Sequence, residues 1–302
     1  MMTETRILAL VCLLLAAVGP AQACATEDAG SRAQYLERIE DWRERRHQRL
    51  QSDDGWMTLV GLEWLHEGVN RVGSAPDSDA RIPGGPADWG TIRLSGDRIV
   101  FTPAPGADVT VGGEVVEQAQ LIADNQGRPN VVRSGDLSFY VIYRQSYGLR
   151  IKDRKAPTLL AFKEMPAYEI DPGWCIEGRF ERAAPGTTAE VADVLGHTNE
   201  SPVYGTFEFE RDGETFRLTG LGTAESESIE FMFADRTSGR ETYGAGRFVY
   251  SEGMPENGRV VVDFNKAYNP PCAFTAYSTC PLPLPENRLN LWVRAGEKKY
   301  HD

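Results

Sequence analysis

The sequence has only four histidines among its 302 residues, and it lacks the short motifs that mark many catalytic sites. The nucleophile motif G-x-S-x-G, the zinc-protease motif H-E-x-x-H and the phosphate-binding motif G-x-x-x-x-G-K are all absent. His66 and His197 could each act as a general base, but an isolated histidine is more often a surface or capped residue. The sequence therefore indicates neither nucleophilic catalysis nor zinc-protease or nucleotide chemistry.

An excess of positive charge is also missing. Lysine and arginine number 32 against 44 aspartates and glutamates, which gives a formal net charge of -12. An acidic surface disfavours nucleic acid and anionic membranes as partners. The one basic cluster, Arg43–Arg49, is interpreted as the solvated face of a helix. We therefore expect no nucleic-acid partner. No cofactor is predicted either, and the sequence does not indicate which protein partners exist.

Long apolar runs are absent apart from one at the N-terminus. Arg6 precedes the apolar run 7–18, and Ala21-Gln22-Ala23 gives a small-x-small cleavage site before Cys24. The run is too short to cross a membrane as a helix. The pattern predicts a signal peptide over residues 1–23 and export to the periplasm or cell envelope. The mature protein is then either soluble or lipid-anchored at Cys24; an alanine three positions before that cysteine favours the soluble form.

Cysteines are few, and their spacing indicates a disulfide bond rather than a metal site. Cys272 and Cys280 are the natural pair in an oxidising compartment. Closing so short a loop stabilises a fold by about 2–3 kcal/mol on the loop-entropy estimate. Cys175, beside Trp174, is interpreted as a buried structural thiol. The seven-residue gap and the scarcity of histidine disfavour a metal, so no metal site is predicted.

Helical periodicity is nearly confined to one segment. This segment forms the second part of a predicted N-terminal unit, residues 24–52. Within it, residues 31–51 place Tyr35, Ile39 and Trp42 on one apolar face. The opposite face carries alternating acidic and basic residues that suit favourable pairs one turn apart. We expect a tether followed by an amphipathic helix that packs on a β-rich body.

The rest of the chain alternates short β-branched or aromatic runs with Gly, Asn, Asp and Pro turns. Hairpins are predicted around Ser95-Gly96-Asp97 and around Gly112-Gly113. Strands this short and this regular are typical of a sandwich or barrel. The fold class predicted is mainly β: the helix, a small sandwich-like unit over 53–156, and a larger antiparallel barrel-like unit over 157–302.

The sandwich-like unit resembles a forkhead-associated domain. The resemblance rests on RVGSAPDSDARIPGG at Arg71–Gly85 and on VTVGGEVV at Val109–Val116. Forkhead-associated domains bind phosphothreonine through an arginine and a serine. Here Gly73 is followed directly by Ser74, and the downstream Ser-x-x-His is missing. The resemblance therefore implies a similar β-sandwich without phosphopeptide binding.

The richest polar segment is DFNKAYNPPCAFTAYSTCPLPLPEN at residues 263–287. Its five prolines exclude a regular helix or a central strand, so it is predicted to be a long, rigid loop closing the barrel-like unit. Long ordered loops often carry function. Asn265, Tyr268, Asn269 and Glu286 are its candidate ligand-binding residues, and Glu286 could ion-pair with Lys266.

A second polar set precedes this loop. A strand over 240–250 would place Glu241, Tyr243 and Arg247 on one face. Arg247 is the best candidate for holding an anionic group, because its planar guanidinium matches a carboxylate or phosphate. Tyr243 and Arg247 therefore join the four loop residues as candidates for one ligand site.

The C-terminal sequence also resembles the family of domain of unknown function 1684. The motif F-N-x-A-Y-N-P-x-C-A, continued by C-P-l-P and A-G-E-K, is matched from Phe264 through Lys298. Trp56–Leu65 and Thr237–Arg247 fit the same family, so the resemblance covers roughly residues 35–300. It implies a bacterial, often exported, β-rich protein, and the family carries no assigned activity.

Three functions are compatible with these patterns. The first is binding of a small polar or anionic ligand in the C-terminal unit. The second is a hydrolase that uses Glu286 or Asp263 as acid or base in the same pocket. The third is a structural component of the cell envelope. An enzyme predicts a carboxyl group of raised pKa across a cleft from Tyr268 or Asn265, a binder predicts a walled cavity, and an assembly role predicts a large exposed apolar patch.

Overall fold

The computed structural model describes Cys24 and residues 29–301. The predicted N-terminal helix is confirmed as α1 (Ala29–Gln51), and a short helix, α2 (Pro157–Ala161), begins the second half. Helix α1 buries Tyr35, Ile39 and Leu50, the apolar residues that recur at helical spacing. None of the helices in the described residues is both long and apolar enough to cross a membrane.

Ten strands of the first half form two five-stranded sheets. The strands are β1 (Leu59–Trp64), β2 (Gly68–Gly73), β3 (Ala80–Arg81), β4 (Gly90–Ser95), β5 (Arg98–Pro103), β6 (Thr110–Val111), β7 (Ala119–Leu121), β8 (Val132–Ser134), β9 (Leu137–Tyr143) and β10 (Tyr147–Asp153). In the first sheet the order is β1-β10-β9-β8-β6, and in the second it is β3-β2-β4-β5-β7.

The two sheets enclose one apolar core, as expected for a sandwich. Trp89, Phe101 and Phe139 are fully buried in it, and the Phe139 ring centroid lies 5.6 Å from that of Trp89 and 5.9 Å from that of Phe101. Alternate residues of β9 and β10 point into this core, because successive side chains of a strand face opposite sides of a sheet. The outer face of the same strands is left to contact the second half of the chain.

The predicted hairpins had different outcomes. Strands β4 and β5 pair around the Gly96 turn, with Thr91 opposite Thr102, so the first is confirmed. The second is wrong, because β6 pairs with β8 and only an isolated bridge joins Val111 to Glu114. The glycine pair there makes a tight turn, but the residues after it do not continue as a strand.

The second half is built on one antiparallel sheet in the order β16-β15-β14-β13-β11-β17, with β12 paired to β13. Its core is rich in phenylalanine, including Phe207, Phe231, Phe233 and Phe264. The strands are β11 (Cys175–Arg182), β12 (Thr188–Ala192), β13 (Thr198–Arg211), β14 (Glu214–Leu221), β15 (Glu230–Phe233), β16 (Arg247–Tyr250) and β17 (Arg259–Asp263). The fold is therefore mainly β with an N-terminal helix, as predicted.

Residues 264–301 contain no regular strand, and short 3-10 turns organise them instead, at Phe264–Lys266, Pro271–Ala273 and Pro285–Asn287. Part of this segment contacts the outer face of the sandwich, where the Thr279 hydroxyl accepts hydrogen bonds from Arg144 and Arg150, both at 3.2 Å. The Pro-rich loop thus joins the two halves.

Helix α1 is fixed to the second half by two buried polar contacts. The Tyr35 hydroxyl donates to Asp263 Oδ2 at 2.9 Å, and Arg46 Nε donates to Glu297 Oε1 at 2.9 Å. These contacts lie three turns apart along the helix, so they fix its direction as well as its position. The C-terminal part of α1 forms one wall of a cleft.

Candidate functional site

A cleft lies between the end of α1, the turn that follows it, and strand β16 with the segment after β17. Its volume is about 680 Å³, within the usual range of small-molecule sites. Its lining includes four aromatic, three basic and two acidic side chains: Trp42, Arg46, Arg49, Asp54, Trp56, Tyr250, Glu252, Lys266 and Tyr268. The cleft thus combines aromatic surface with charged groups.

Tyr268 lies at the centre of the aromatic group. Its backbone N–H and C=O pair with Phe248 at 2.8 and 2.9 Å, which adds it to the edge of the sheet beside β16. Its ring stacks on Tyr250, with centroids 6.3 Å apart, and lies 6.5 Å from Trp42. The Arg46 guanidinium lies 4.8 Å from the centroid of the Tyr268 ring, a distance typical of cation–π contacts.

Glu230 lies beside these rings on the neighbouring strand. The two residues Glu230 and Tyr250 are direct cross-strand partners, and the Tyr250 hydroxyl donates to Glu230 Oε1 at 2.8 Å. Burial raises the pKa of the Glu230 carboxyl, partly offset by that hydrogen bond. Burial, together with the charge of Glu230, raises the pKa of Tyr268 to about 12. The pKa of Tyr250 is raised as well, mainly by burial, so the phenols of Tyr250 and Tyr268 both keep their protons at neutral pH.

Most cations of the cleft wall already have acidic partners. Arg46 is paired with Glu297 at 2.9 Å, and Lys266 with Glu252 at 2.6 Å. Arg49 is exposed in the last turn of α1, where a positive charge interacts favourably with the helix dipole. The cleft is thus close to neutral.

Arg247 has a different environment from the one expected. The guanidinium is fully buried, donates to the carbonyls of Val293 (2.8 Å), Ala295 and Glu297 (3.3 Å), and lies 3.5 Å from Asp235 Oδ1. Burial lowers its pKa, opposed by the charge of Asp235. Every one of these contacts is internal, so Arg247 holds the C-terminal segment against the sheet rather than facing the cleft.

The predicted strand over 240–250 is wrong. Strand β16 begins only at Arg247, and turns occupy the residues from Asp235 to Gly246. The predicted common face of Glu241, Tyr243 and Arg247 is therefore absent. Tyr243 is half-buried, with its pKa raised by burial, and it does not line the cleft.

The two candidate asparagines are buried and brace the backbone. Asn265 Nδ2 donates to the Tyr35 hydroxyl, to the Asp171 carbonyl and to Asp263 Oδ1 at 2.8–3.0 Å. The Asn269 N–H donates to Glu297 Oε2 at 2.6 Å, and its side chain to a backbone carbonyl. Burial raises the pKa of Asp263, but the carboxylate is hydrogen-bonded to Tyr35 of α1 and to Asn265 and does not line the cleft.

Glu286 is exposed on the last 3-10 turn and does not line the cleft. The expected pair with Lys266 is wrong, because Lys266 binds Glu252 instead. Of the six predicted ligand-binding residues, Tyr268 alone lines the cleft. Trp42 and Tyr250 were not predicted as site residues. The sequence features that could have pointed to them are an aromatic residue on the predicted helix and another at the end of a predicted strand.

The predicted Cys272–Cys280 disulfide is confirmed. A second disulfide joins Cys24 to Cys175, so the interpretation of Cys175 as a free thiol is wrong. The predicted signal peptide, residues 1–23, lies outside the described residues. Within residues 29–301 and Cys24, no cluster of three metal-ligating side chains occurs.

Three kinds of comparison relate the chain to known proteins, and the family comparison bears on the C-terminal motif. Residues 160–298 match the family described as "Protein of unknown function (DUF1684)", which supports the family resemblance. An uncharacterized protein from Haloarcula marismortui, solved by NMR, is 28% identical, over 45% of this chain and 77% of that one, with a TM-score of 0.39. The FhaA FHA domain, complexed with the intracellular domain of Rv3910, is 21% identical over 30% of this chain and 97% of that one, at a TM-score of 0.22. No curated protein matches the chain.

Proposed function

We propose that the protein binds a small polar ligand in the cleft between α1 and the edge of the C-terminal sheet. The observation that carries this proposal is the cleft itself, with about 680 Å³ of space lined by aromatic rings and charged groups. Ligand sites typically combine apolar or aromatic walls with a few polar groups that fix orientation. Arg247 faces away, which removes the main argument for an anionic ligand.

The cleft is held open by contacts that need no ligand. Tyr35 and Arg46 anchor α1 to Asp263 and Glu297, and the Cys24–Cys175 disulfide ties the chain just before the helix to β11. A site built in advance binds more tightly, because less conformational entropy is lost when the ligand arrives. This arrangement supports a binding role.

The other two functions have less support. Glu286 and Asp263, the candidate acid or base residues, lie outside the cleft. Among the described residues, the most exposed large apolar side chains, Val115 and Leu160, lie in separate halves of the chain, and isolated exposed apolar residues are normal on soluble surfaces.

We further propose that the protein is exported to a bacterial periplasm or cell envelope. The pattern of residues 1–23 and two disulfides support this, because disulfides persist in oxidising compartments. The Cys24–Cys175 bond favours a soluble mature protein over a lipid-anchored one.

Tryptophan fluorescence tests the binding proposal. The full mature chain is titrated with choline, citrate and glucose as cationic, anionic and neutral polar probes. We expect saturable binding of at least one probe, lost in Trp42→Phe and kept in the matched control Trp292→Phe, whose half-buried indole lies outside the cleft. Binding of no probe, or equal binding by both variants, would contradict the proposal.

A further inference from the structure

Glu230 is a half-buried carboxylate with no positive partner. Within the described part of the chain, no ion pair reaches it, and the hydroxyl of Tyr250 is its only hydrogen-bond partner, on Oε1. Burial raises the pKa of the Glu230 carboxyl, and no basic side chain opposes this rise. A carboxylate withdrawn from water without a counter-charge costs free energy. Glu252 and Glu297 nearby both have such partners.

The rings beside Glu230 suit a cation. Tyr250 is 43% exposed and Trp42 is half-buried, and both flank Tyr268. Aromatic faces carry negative potential and attract ammonium and guanidinium groups within about 6 Å of the ring centroid. Cleft-lining rings already make such contacts, since the Arg46 guanidinium lies over the ring of Tyr268 and that of Arg150 over the ring of Trp56.

An anionic ligand has less to gain from the same surface. Arg46 and Lys266 are neutralised by their acidic partners. Arg49 remains, but it lies exposed to water in the last helical turn, where solvent screens its charge. The group left uncompensated next to the aromatic wall is therefore negative.

We propose that the cleft binds ligands through a cationic head group of the quaternary or alkylated ammonium class, held against the rings of Tyr250 and Trp42. Glu230 does not itself line the cleft, but it accepts the hydrogen bond of the Tyr250 hydroxyl and supplies the counter-charge beside that ring. This inference rests on the proposed function and specifies the ligand class for the same cleft. No bond is made or broken, and the recognition is electrostatic and aromatic.

A pair of probes with one shape isolates the charge. Choline and 3,3-dimethylbutan-1-ol share their shape and hydroxyl, and only choline is charged. Isothermal titration of the mature, disulfide-bonded protein should show choline binding about 10-fold more tightly, as expected for a desolvated cation–π contact assisted by a carboxylate. Equal affinities, or no binding of choline, would overturn the inference.

Two variants identify the counter-charge. Glu230→Gln should weaken choline about 10-fold while leaving the neutral probe unchanged. Glu227→Gln removes the same charge from an exposed neighbour and should leave both affinities unchanged. Unchanged choline affinity in a folded Glu230→Gln protein, or equal losses in both variants, would refute Glu230 as the partner. If citrate or glucose binds in a Trp42-dependent manner and choline does not, the cleft is a ligand site and the cationic class is wrong.

Discussion

Replacing Arg247 with methionine should destabilise the protein by about 3–5 kcal/mol, the usual cost of removing one partner from a buried ion pair. Methionine is flexible enough to occupy most of the same space. The substitution would leave the carbonyls of Val293 and Glu297 without their donor, and the fully buried Asp235 carboxylate without its counter-charge. The expected loss is therefore mainly electrostatic and not the result of a cavity.

Urea unfolding followed by circular dichroism measures this loss. The control is Arg236→Met, which alters an exposed arginine nearby and should change the free energy of unfolding by less than about 0.5 kcal/mol. Adding Asp235→Asn to Arg247→Met should recover part of the loss, because no unpaired buried charge remains. A loss below about 1 kcal/mol for Arg247→Met would refute the structural role of this arginine.

Three further predictions concern stability. Burial raises the pKa of Glu230 in the folded state, so folding favours the protonated carboxyl and the wild-type protein loses stability as pH rises. The melting temperature of Glu230→Gln should therefore rise relative to that of the wild type between about pH 4 and pH 8. A difference in melting temperature that stays constant over this range would contradict the prediction. Replacing Cys24 and Cys175 with alanine should cost up to about 5 kcal/mol on the loop-entropy estimate, measured by urea unfolding, and non-reducing peptide mapping that finds either thiol free would refute the bond. Tyr35→Phe should cost about 1–3 kcal/mol, since Asp263 loses a buried donor; an unchanged unfolding midpoint would count against that contact.

Local features were predictable from the sequence where partners are close along the chain. The helical face of Tyr35 and Ile39 follows from periodicity, and the β4–β5 hairpin from its turn residues. The Cys272–Cys280 bond joins residues separated by 8 positions. In each case one short segment contains the whole pattern, so local rules are sufficient.

Long-range features were not predictable in this way. Cys24 and Cys175 are 151 positions apart, and no spacing rule pairs cysteines at that distance. Arg247 was predicted to bind a ligand, but its partners are backbone carbonyls 46–50 positions later in the chain. The local sequence around an arginine is the same whether the guanidinium binds ligand oxygens or distant backbone carbonyls. The cleft joins α1 to strands about 200 residues away, and only the folded chain brings Trp42 to Tyr250.

Chemical-shift mapping reports where choline binds and not only whether it binds, so it is the sharpest test of whether the cleft is a site for a cationic ligand. The isotope-labelled mature protein is titrated with choline while the indole N–H signals are followed. We expect saturable shifts at Trp42 and Trp56, which line the cleft, and none at Trp89, which is buried in the sandwich core. Shifts confined to other surfaces, or no shifts at all, would contradict it.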